Sequence, residues 1–542
     1  MAVFVFGVFL VAFAVISYLS QRSKIGKSSF RQFPGPYQLP YIGRIHDLPV
    51  KYMWLKFFEW GREYGPVYRT SMMGDNFIII TDEKVAEELL VKRAKIYSDR
   101  PAFTSLFDSK GNDGPEGHLP LLGKNKYWSR QRRLSHSYLI DARNKFYNGI
   151  MNHEAKRFLY RLVNDPDNFS NHLENMASKV ACEMAYDDSS SSTELTQHSL
   201  RLLTQISPAG PITNLATPLW NLPLCVNPWK RAEIKRHDEE RKFWKGVMAN
   251  ARAKWEKGES RNCFARKYFE SQTNLSGDGE AACVFGMVAL MSIFTVGGPL
   301  HYFLMAMVLH PEWLRKCQEE IDEQCGGKMP TLADCPRLPI LRSCILETMR
   351  WRPNIPTGVA HEVEEDDWYD DCFIAKGSRI LPLEWAFLRN PEKYPDPENY
   401  HPERYLSSDW PTYREPLSIY PNMKTFTSFG WGQRRCMGQS QTQDELLIAC
   451  GALCWGYNLK NKIDVVTGKA IEIDTESSNS LLIMKPSPFE MTFEPRSEKR
   501  REVMIEQWRY AEQKDMEARE DFLRMARREK SFMTARSTML NL

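Results

Sequence analysis

The sequence predicts a mainly α protein with a small β side-domain, preceded by one N-terminal transmembrane helix. Three observations predict it. An uncharged run of 18 residues, AVFVFGVFLVAFAVISYL, opens the chain. Long stretches with apolar residues at helical spacing follow it, and only short alternating islands such as SRILPL stand between them.

The apolar run is long enough, at about 1.5 Å per residue, to cross most of a ~30 Å hydrocarbon layer. No basic residue precedes it and SQRSKIGKSSFR follows, so it is expected to be a retained anchor over residues 1–21 rather than a cleaved signal. Arg22, Lys24, Lys27 and Arg31 lie on its C-terminal side, which places the rest of the chain in the cytosol and leaves the sequons at Asn168 and Asn274 unglycosylated. Residues 22–43 form a basic, proline-rich hinge. Within FPGPYQLPYIG, Pro34, Pro36 and Pro40 restrict the backbone and deny it helix.

From about Tyr52, YMWLKFFEWGREYG is helical and stops at glycine. PVYRTSMMGDNFIIITD then alternates and turns, as a hairpin does. DDSSSST reads as a loop, and the region from Ser189 to Asn227 is the least regular of the chain, a place for substrate selectivity. The segment AACVFGMVALMSIFTVGGPLHYFLMAMVL is apolar and long enough for a second membrane crossing. Gly297, Gly298, Pro299 and His301 would be costly in lipid, so a helix buried at the centre of a large domain is expected instead.

Composition narrows the function less than the motifs do. The 72 basic residues nearly balance 68 acidic ones, which argues against nucleic acid as a partner of the whole molecule. The 12 cysteines show no C-x-x-C pairing, as suits free thiols in a reducing compartment, and most are expected to be small core residues, Cys450 and Cys454 included.

The chemistry lies downstream. ILRSCILETMRWRP is a helix ended by Pro353, with Glu347 and Arg350 three apart on one face. Arg404 follows in the proline-punctuated loop YPDPENYHPERYL, and then FGWGQRRCMG sets Cys436 among glycines and arginines. Taken alone, the Glu347–Arg350 match could be an ordinary surface pair. The three motifs in this order are far more specific.

With them the sequence resembles the cytochrome P450 family of haem-thiolate monooxygenases, over about Phe33 to Arg496. The family pattern F-x-x-G-x-R-x-C-x-G falls on Phe429, Gly432, Arg434, Cys436 and Gly438. The resemblance implies a helical prism with a small sheet side-domain over residues 44–496. It implies haem b with Cys436 as the axial thiolate, a strong donor that favours O–O cleavage. Arg434 would pair with a haem propionate, as would Trp128 and Arg132 of WSRQR, and His361 is expected near the second propionate. Glu347, Arg350 and Arg404 match the family's buried triad, which fixes the cysteine-bearing loop. The hinge resembles the family's as well. The location implied is the endoplasmic reticulum membrane, single-pass, with the catalytic domain cytosolic, beside an NADPH–haemoprotein reductase that passes on electrons from NADPH.

The central helix departs from the family. The usual A/G-G-x-D/E-T-T stretch falls at MSIFTV, Met291 to Val296, with Thr295 as expected but Phe294 in place of the acid. Phenylalanine relays no protons. Because Pro299 lacks an N–H, the Thr295 carbonyl loses its helical partner. An opened turn there, with Thr295 as the catalytic alcohol and Ser292 one turn away, is expected to order a water. A tolerated kink is the alternative.

A site poor in proton delivery suits substrates with an acidic hydroxyl. Membrane-anchored fungal enzymes resembling this one, with a similar FTVGGPLHYFLMAM helix, act on secondary metabolites, and some couple phenols. The expected activity is therefore oxidation of a small hydrophobic or aromatic molecule, such as an aromatic polyketide, by hydroxylation or by oxidative phenol coupling or ring closure. Two other classes stay open: a haem-thiolate isomerase or dehydratase needing no O2, and a non-catalytic haem protein. Beyond residue 496 a charged extension, 497–542, carries Ile505, Trp508, Phe522 and Leu523 at helical spacing. Its interleaved acids argue against nucleic-acid binding and for packing on the enzyme surface or a partner contact.

Overall fold

The computed structural model describes residues 30–540 except 104, 107–114 and 272, with side chains described as far as 525. The anchor predicted for residues 1–21 and the start of the hinge lie outside the described residues. From Phe30 to Gly43 the chain runs without helix, as its prolines dictate.

Helix α1 (Met53–Tyr64) buries Met53, Trp54, Phe57 and Trp60 and ends at Gly65, whose φ of 104° few other residues adopt. Strands β1 (Val67–Met72) and β2 (Asp75–Ile80) form the predicted hairpin. Long helices follow: α2 (Lys126–Lys145), α3 (Tyr147–Asn164), α4 (Phe169–Tyr186), α5 (Ser192–Ile206) and α6 (Pro228–Glu256), then the short α7 (Phe264–Glu270). The region expected to be irregular, Ser189–Asn227, is thus half helical. Leu195, His198, Ser199, Leu202, Leu203 and Ile206 recur at three- and four-residue spacing and turn one face of α5 inward. Only Ser207–Asn227 is built of short turns.

Helix α8 (Asp278–Leu309) is the axis of the molecule. Its most apolar stretch is 78% buried inside the protein, which makes it the expected core helix rather than a second span. Close packing fixes its register. A Cβ on Gly286 would stand 2.6 Å from the Trp244 ring, so glycine there lets α6 lie against α8. Helices α9 (Pro311–Cys325) and α10 (Pro339–Trp351) follow.

The chain then returns to the sheet through β3 (His361–Glu362), β4 (Asp367–Tyr369), β5 (Cys372–Ile374) and β6 (Arg379–Pro382). The four-stranded sheet has the order β1-β2-β6-β3, with β6 parallel to β2 and placing Arg379 beside Phe77. Helix α11 (Gln439–Gly456), the hairpin of β7 (Tyr457–Asn461) and β8 (Met491–Pro495), and α12 (Glu498–Leu540) complete the chain. All twelve cysteines are free, and eight, Cys450 and Cys454 among them, are buried.

Candidate active site

Cys436 sits at the end of a loop shaped by two glycines. Gly430 and Gly432 have φ of 78° and 51°, and a Cβ on Gly432 would lie 2.0 Å from the Leu90 carbonyl oxygen. The loop closes when the Cys436 N–H donates to the Phe429 carbonyl at 2.8 Å, and Phe429 itself is buried in the apolar core. Beyond Cys436, a Cβ on Gly438 would meet only the cysteine sulfur, at 4.0 Å, so this side of the loop is open.

The sulfur has accessible surface, yet burial is the largest influence on it and raises the thiol pKa, against the lowering effect of the Gly438 N–H, Arg132 and Arg435. Both facts hold if the sulfur faces an internal hollow rather than bulk solvent.

Around this loop gathers a group of basic side chains, of which Arg100, Arg434 and His361 are buried. Arg434 donates from Nε to the Ser98 carbonyl at 2.6 Å and lies 4.1 Å from the ring centroid of Trp128, while its Nη1 and Nη2 have no partner. Arg132, from α2, donates to the Arg435 carbonyl. Arg100, which sequence reasoning missed, donates from Nη1 to the carbonyls of Val359 and Ala360 at 2.9 and 2.5 Å and leaves Nε unpartnered. His361 is held through Nδ1 by the Tyr97 carbonyl at 2.8 Å. Burial, then Arg100, keeps it neutral. Burial and mutual repulsion press Arg434 down to about 8 and Arg100 down to about 9. Nearby Asp99 is occupied by the backbone N–H groups of Arg100 and Lys124, and Glu364 by the Lys124 ammonium. Guanidinium donors left orphaned in a buried setting suit a ligand that brings its own carboxylates.

Among the described residues no group of three or more His, Cys, Asp or Glu side chains is placed to hold a metal ion. A metal at Cys436 would therefore draw most of its donors from outside the described residues. A cysteine sulfur, orphaned guanidiniums and an open glycine edge would fit haem, whose iron takes a thiolate and whose propionates pair with guanidiniums.

Helix α8 passes with one distinctive face. Between Glu280 and Val308 only Val288, Met291, Ser292 and Thr295 are not buried, and their spacing of three, four and seven forms one stripe. Phe294 lies off it, buried among Leu290 and Ile293. At the turn that Pro299 opens, a side chain reaches the freed carbonyl. Asn354 Nδ2 donates to the Thr295 carbonyl at 3.0 Å and takes over the bond that Pro299 cannot make. Thr295 and Ser292 donate their hydroxyls back to the Met291 and Ala289 carbonyls at 2.6 and 2.8 Å. Glycine at 298 is what lets Asn354 in, because a Cβ there would stand 2.5 Å from its Oδ1.

Glu347, Arg350 and Arg404 meet as one fully buried group. Glu347 takes two bonds of 2.8 Å from Arg350 and one of 3.2 Å from Arg404. The arginines also collect the carbonyls of Leu388, Pro395, Asp396, Pro397 and Asn399, so the triad staples the loop before the cysteine segment onto α10. The cysteine segment has a second fastening, from Glu384, which accepts from the Thr427 and Ser428 hydroxyls at 2.7 Å each. No sequence motif marks Glu384.

One cysteine sulfur in a helical fold, beside buried guanidiniums with unpaired donors, suits a haem-thiolate site. The chain belongs to the cytochrome P450 family, whose model, described as Cytochrome P450, matches residues 33–493. It is 30% identical over 505 residues to cytochrome P450 monooxygenase virE of Hypocrea virens, with 91% of each chain covered. It is 28% identical to cytochrome P450 monooxygenase fogE of Aspergillus ruber, over 91% of this chain and 93% of the other. Cytochrome P450 monooxygenase 58 of Postia placenta is likewise 28% identical, over 90% and 93%. The protein is an oxidoreductase of this monooxygenase family, with its mostly helical fold and small sheets.

Proposed function

We propose that the protein uses O2, and electrons that reach it from NADPH through a membrane-bound NADPH–haemoprotein reductase, to oxidise a small hydrophobic or aromatic molecule in a tailoring step of secondary metabolism. Hydroxylation and oxidative phenol coupling or ring closure are the reactions in view. The observation that carries this reading is the accessible Cys436 sulfur beside buried guanidiniums that lack anions.

Haem b, when bound, supplies the oxygen-activating redox chemistry. Cys436 would hold its iron, Arg100, Arg132, Arg434 and Trp128 would hold its propionates with His361 alongside, and Gly438 would leave room for its edge. The Val288–Thr295 stripe would help line the site, with the Ser292 and Thr295 hydroxyls as its proton-bearing groups. Residues 1–21 would anchor the chain in the endoplasmic reticulum membrane with the catalytic part in the cytosol, which keeps the reductase close. Exposed apolar side chains just after the anchor, Tyr37, Leu39 and Val50, support that setting.

The test is the carbon-monoxide difference spectrum of the reduced protein. A thiolate-type band that Cys436→Ser abolishes is expected, and a protein that takes up no haem, or a band unchanged in the variant, overturns the reading. Deleting the gene and comparing metabolite masses then separates a gain of one oxygen from a loss of two hydrogens.

The buried Phe294 favours one second reading, an isomerase or dehydratase that needs neither O2 nor reductant. Turnover in the absence of NADPH and reductase would select it.

A further inference from the structure

Beside the cation cluster lies a cavity of about 170 Å3. Its walls are largely apolar, with Met53, Phe57, Phe77, Phe103, Leu215 and Leu482 among them. Val359 and Ala360 line it too, and their carbonyls hold Arg100, so the cavity shares a wall with the proposed haem edge.

One charged feature interrupts the apolar lining. Asp75 and Arg379 both border the cavity and meet through Oδ2 and Nη2 at 2.8 Å, their side chains 33% and 21% exposed. Arg379 also lies 5.4 Å from the Phe77 ring centroid. Of the other polar liners, Asn214 is tied to the carbonyls of Gln205 and Ser207 and Thr357 donates to Gly358, while Thr217 adds an uncharged hydroxyl. Glu362 stands in register with Arg379 on the neighbouring strand, with Asp99 beside it, and Tyr41 adjoins Asp75. Two acids thus flank one guanidinium.

The chemistry of that end discriminates among guests. A hydrocarbon filling the cavity would strip water from the ion pair and return no hydrogen bond. A carboxylate would gain Arg379 but face Asp75 and Glu362. A hydroxyl satisfies both partners, because it donates to the Asp75 carboxylate and accepts from an Arg379 N–H.

We propose that this cavity is the substrate-recognition pocket, and that it selects neutral molecules with an apolar body and a hydroxyl at one end, the hydroxyl being read by Asp75 and Arg379 together. What happens to the bound guest rests on the haem-thiolate reading; its recognition does not.

The test measures binding of 2-naphthol, 2-methylnaphthalene and 2-naphthoate to the full-length holoenzyme by equilibrium dialysis. The wild type is expected to bind 2-naphthol at least about tenfold tighter than either analogue, since a site built to bond a hydroxyl rejects analogues that lack or overcharge it. The double variant Asp75→Val, Arg379→Met, which removes both the acceptor and the donor, should lose that preference. A second variant, Leu215→Trp on the turn-rich segment, should block naphthol by filling the cavity. Equal affinities in the wild type, a preference for naphthoate, or naphthol binding unaffected by Leu215→Trp would each overturn the proposal. The carbon-monoxide spectrum of the wild type reports on the haem-thiolate reading separately from binding, and that of each variant shows whether it has kept its fold and haem.

Discussion

The side-chain amide of Asn354 donates to the main-chain carbonyl of Thr295 at 3.0 Å, across the turn that Pro299 leaves open in the central helix. A loop residue thus completes a helix, and the two segments become one unit. Asn354→Ala strands a partly buried carbonyl and is expected to cost about 1–2 kcal/mol, read as a lower midpoint in chemical denaturation. Thr295→Ala removes only a hydroxyl bonded to its own helix and should cost about 1 kcal/mol or less. If Thr295 delivers protons, its alanine variant alone should raise NADPH consumption that yields no product. Unchanged coupling would retire that role.

This relationship also shows where the sequence stops being legible. Pro299 told of a missing hydrogen bond, because the rule is local to four residues. The replacement comes from a residue 59 positions away in sequence, and no spacing rule reaches that far. The motif residues behave the same way: the glycines, Arg434 and Cys436 were readable because they sit within ten residues of one another, and the triad because its members fall on a known order. Arg100 and Glu384 stand alone in the chain, and only the fold brings them to the cysteine segment. Helix α5 was missed for another reason, since its leading serines mask a regular apolar period.

Arg100 and Arg434 predict opposite effects on the empty and the loaded protein. Each is a buried guanidinium with orphaned nitrogens, so Arg434→Met or Arg100→Met is expected to stabilise the haem-free protein by on the order of 1–3 kcal/mol. In the holoenzyme the same change removes a charge-assisted bond worth about 1.5–3 kcal/mol, and haem should leave about tenfold faster or more. Thermal unfolding of the apoprotein and haem transfer to apomyoglobin read the two arms. Destabilisation of both forms would mean that the arginines serve packing alone.

Glu384 gives a pH dependence with a definite sign. Burial pushes its carboxyl up to about 7, against the lowering effect of the Ser428 and Thr427 hydroxyls. The folded state therefore holds a proton that the unfolded chain releases near 4.5. Its contribution to stability is complete below that value, declines as pH rises toward about 7, and is gone above. Glu384→Gln, which imitates the protonated acid, should flatten this decline and stabilise the protein above pH 7 by on the order of 1–3 kcal/mol. Buried Glu154, Glu320 and Glu445 are also raised, to about 7, 7 and 8, so the difference between wild-type and variant curves is the readout. Parallel curves would refute the assignment.

The C-terminal extension is fastened by aromatic packing first and charge second. Trp508 is buried, stacked on Tyr160 at 6.1 Å and edge-on to His153 at 5.0 Å, with the Arg157 guanidinium 4.8 Å from its ring centroid. Phe522 and Leu523, expected to join it, are half-buried, and Met504, which sequence reasoning passed over, is fully so. Farther along, Asp515 pairs with Arg261 at 2.9 Å and Arg519 with Glu183 at 3.2 Å, in partly exposed contacts that contribute little each. Truncating a buried tryptophan costs about 3–5 kcal/mol, more than those ion pairs return, so Trp508→Ala should release α12 from α3. Because the helix lies beyond the segment that matches the family, its release is expected to be local: faster proteolysis after residue 497, with the carbon-monoxide spectrum intact. Loss of haem in step with cleavage would show instead that the extension and the catalytic core unfold as one cooperative unit.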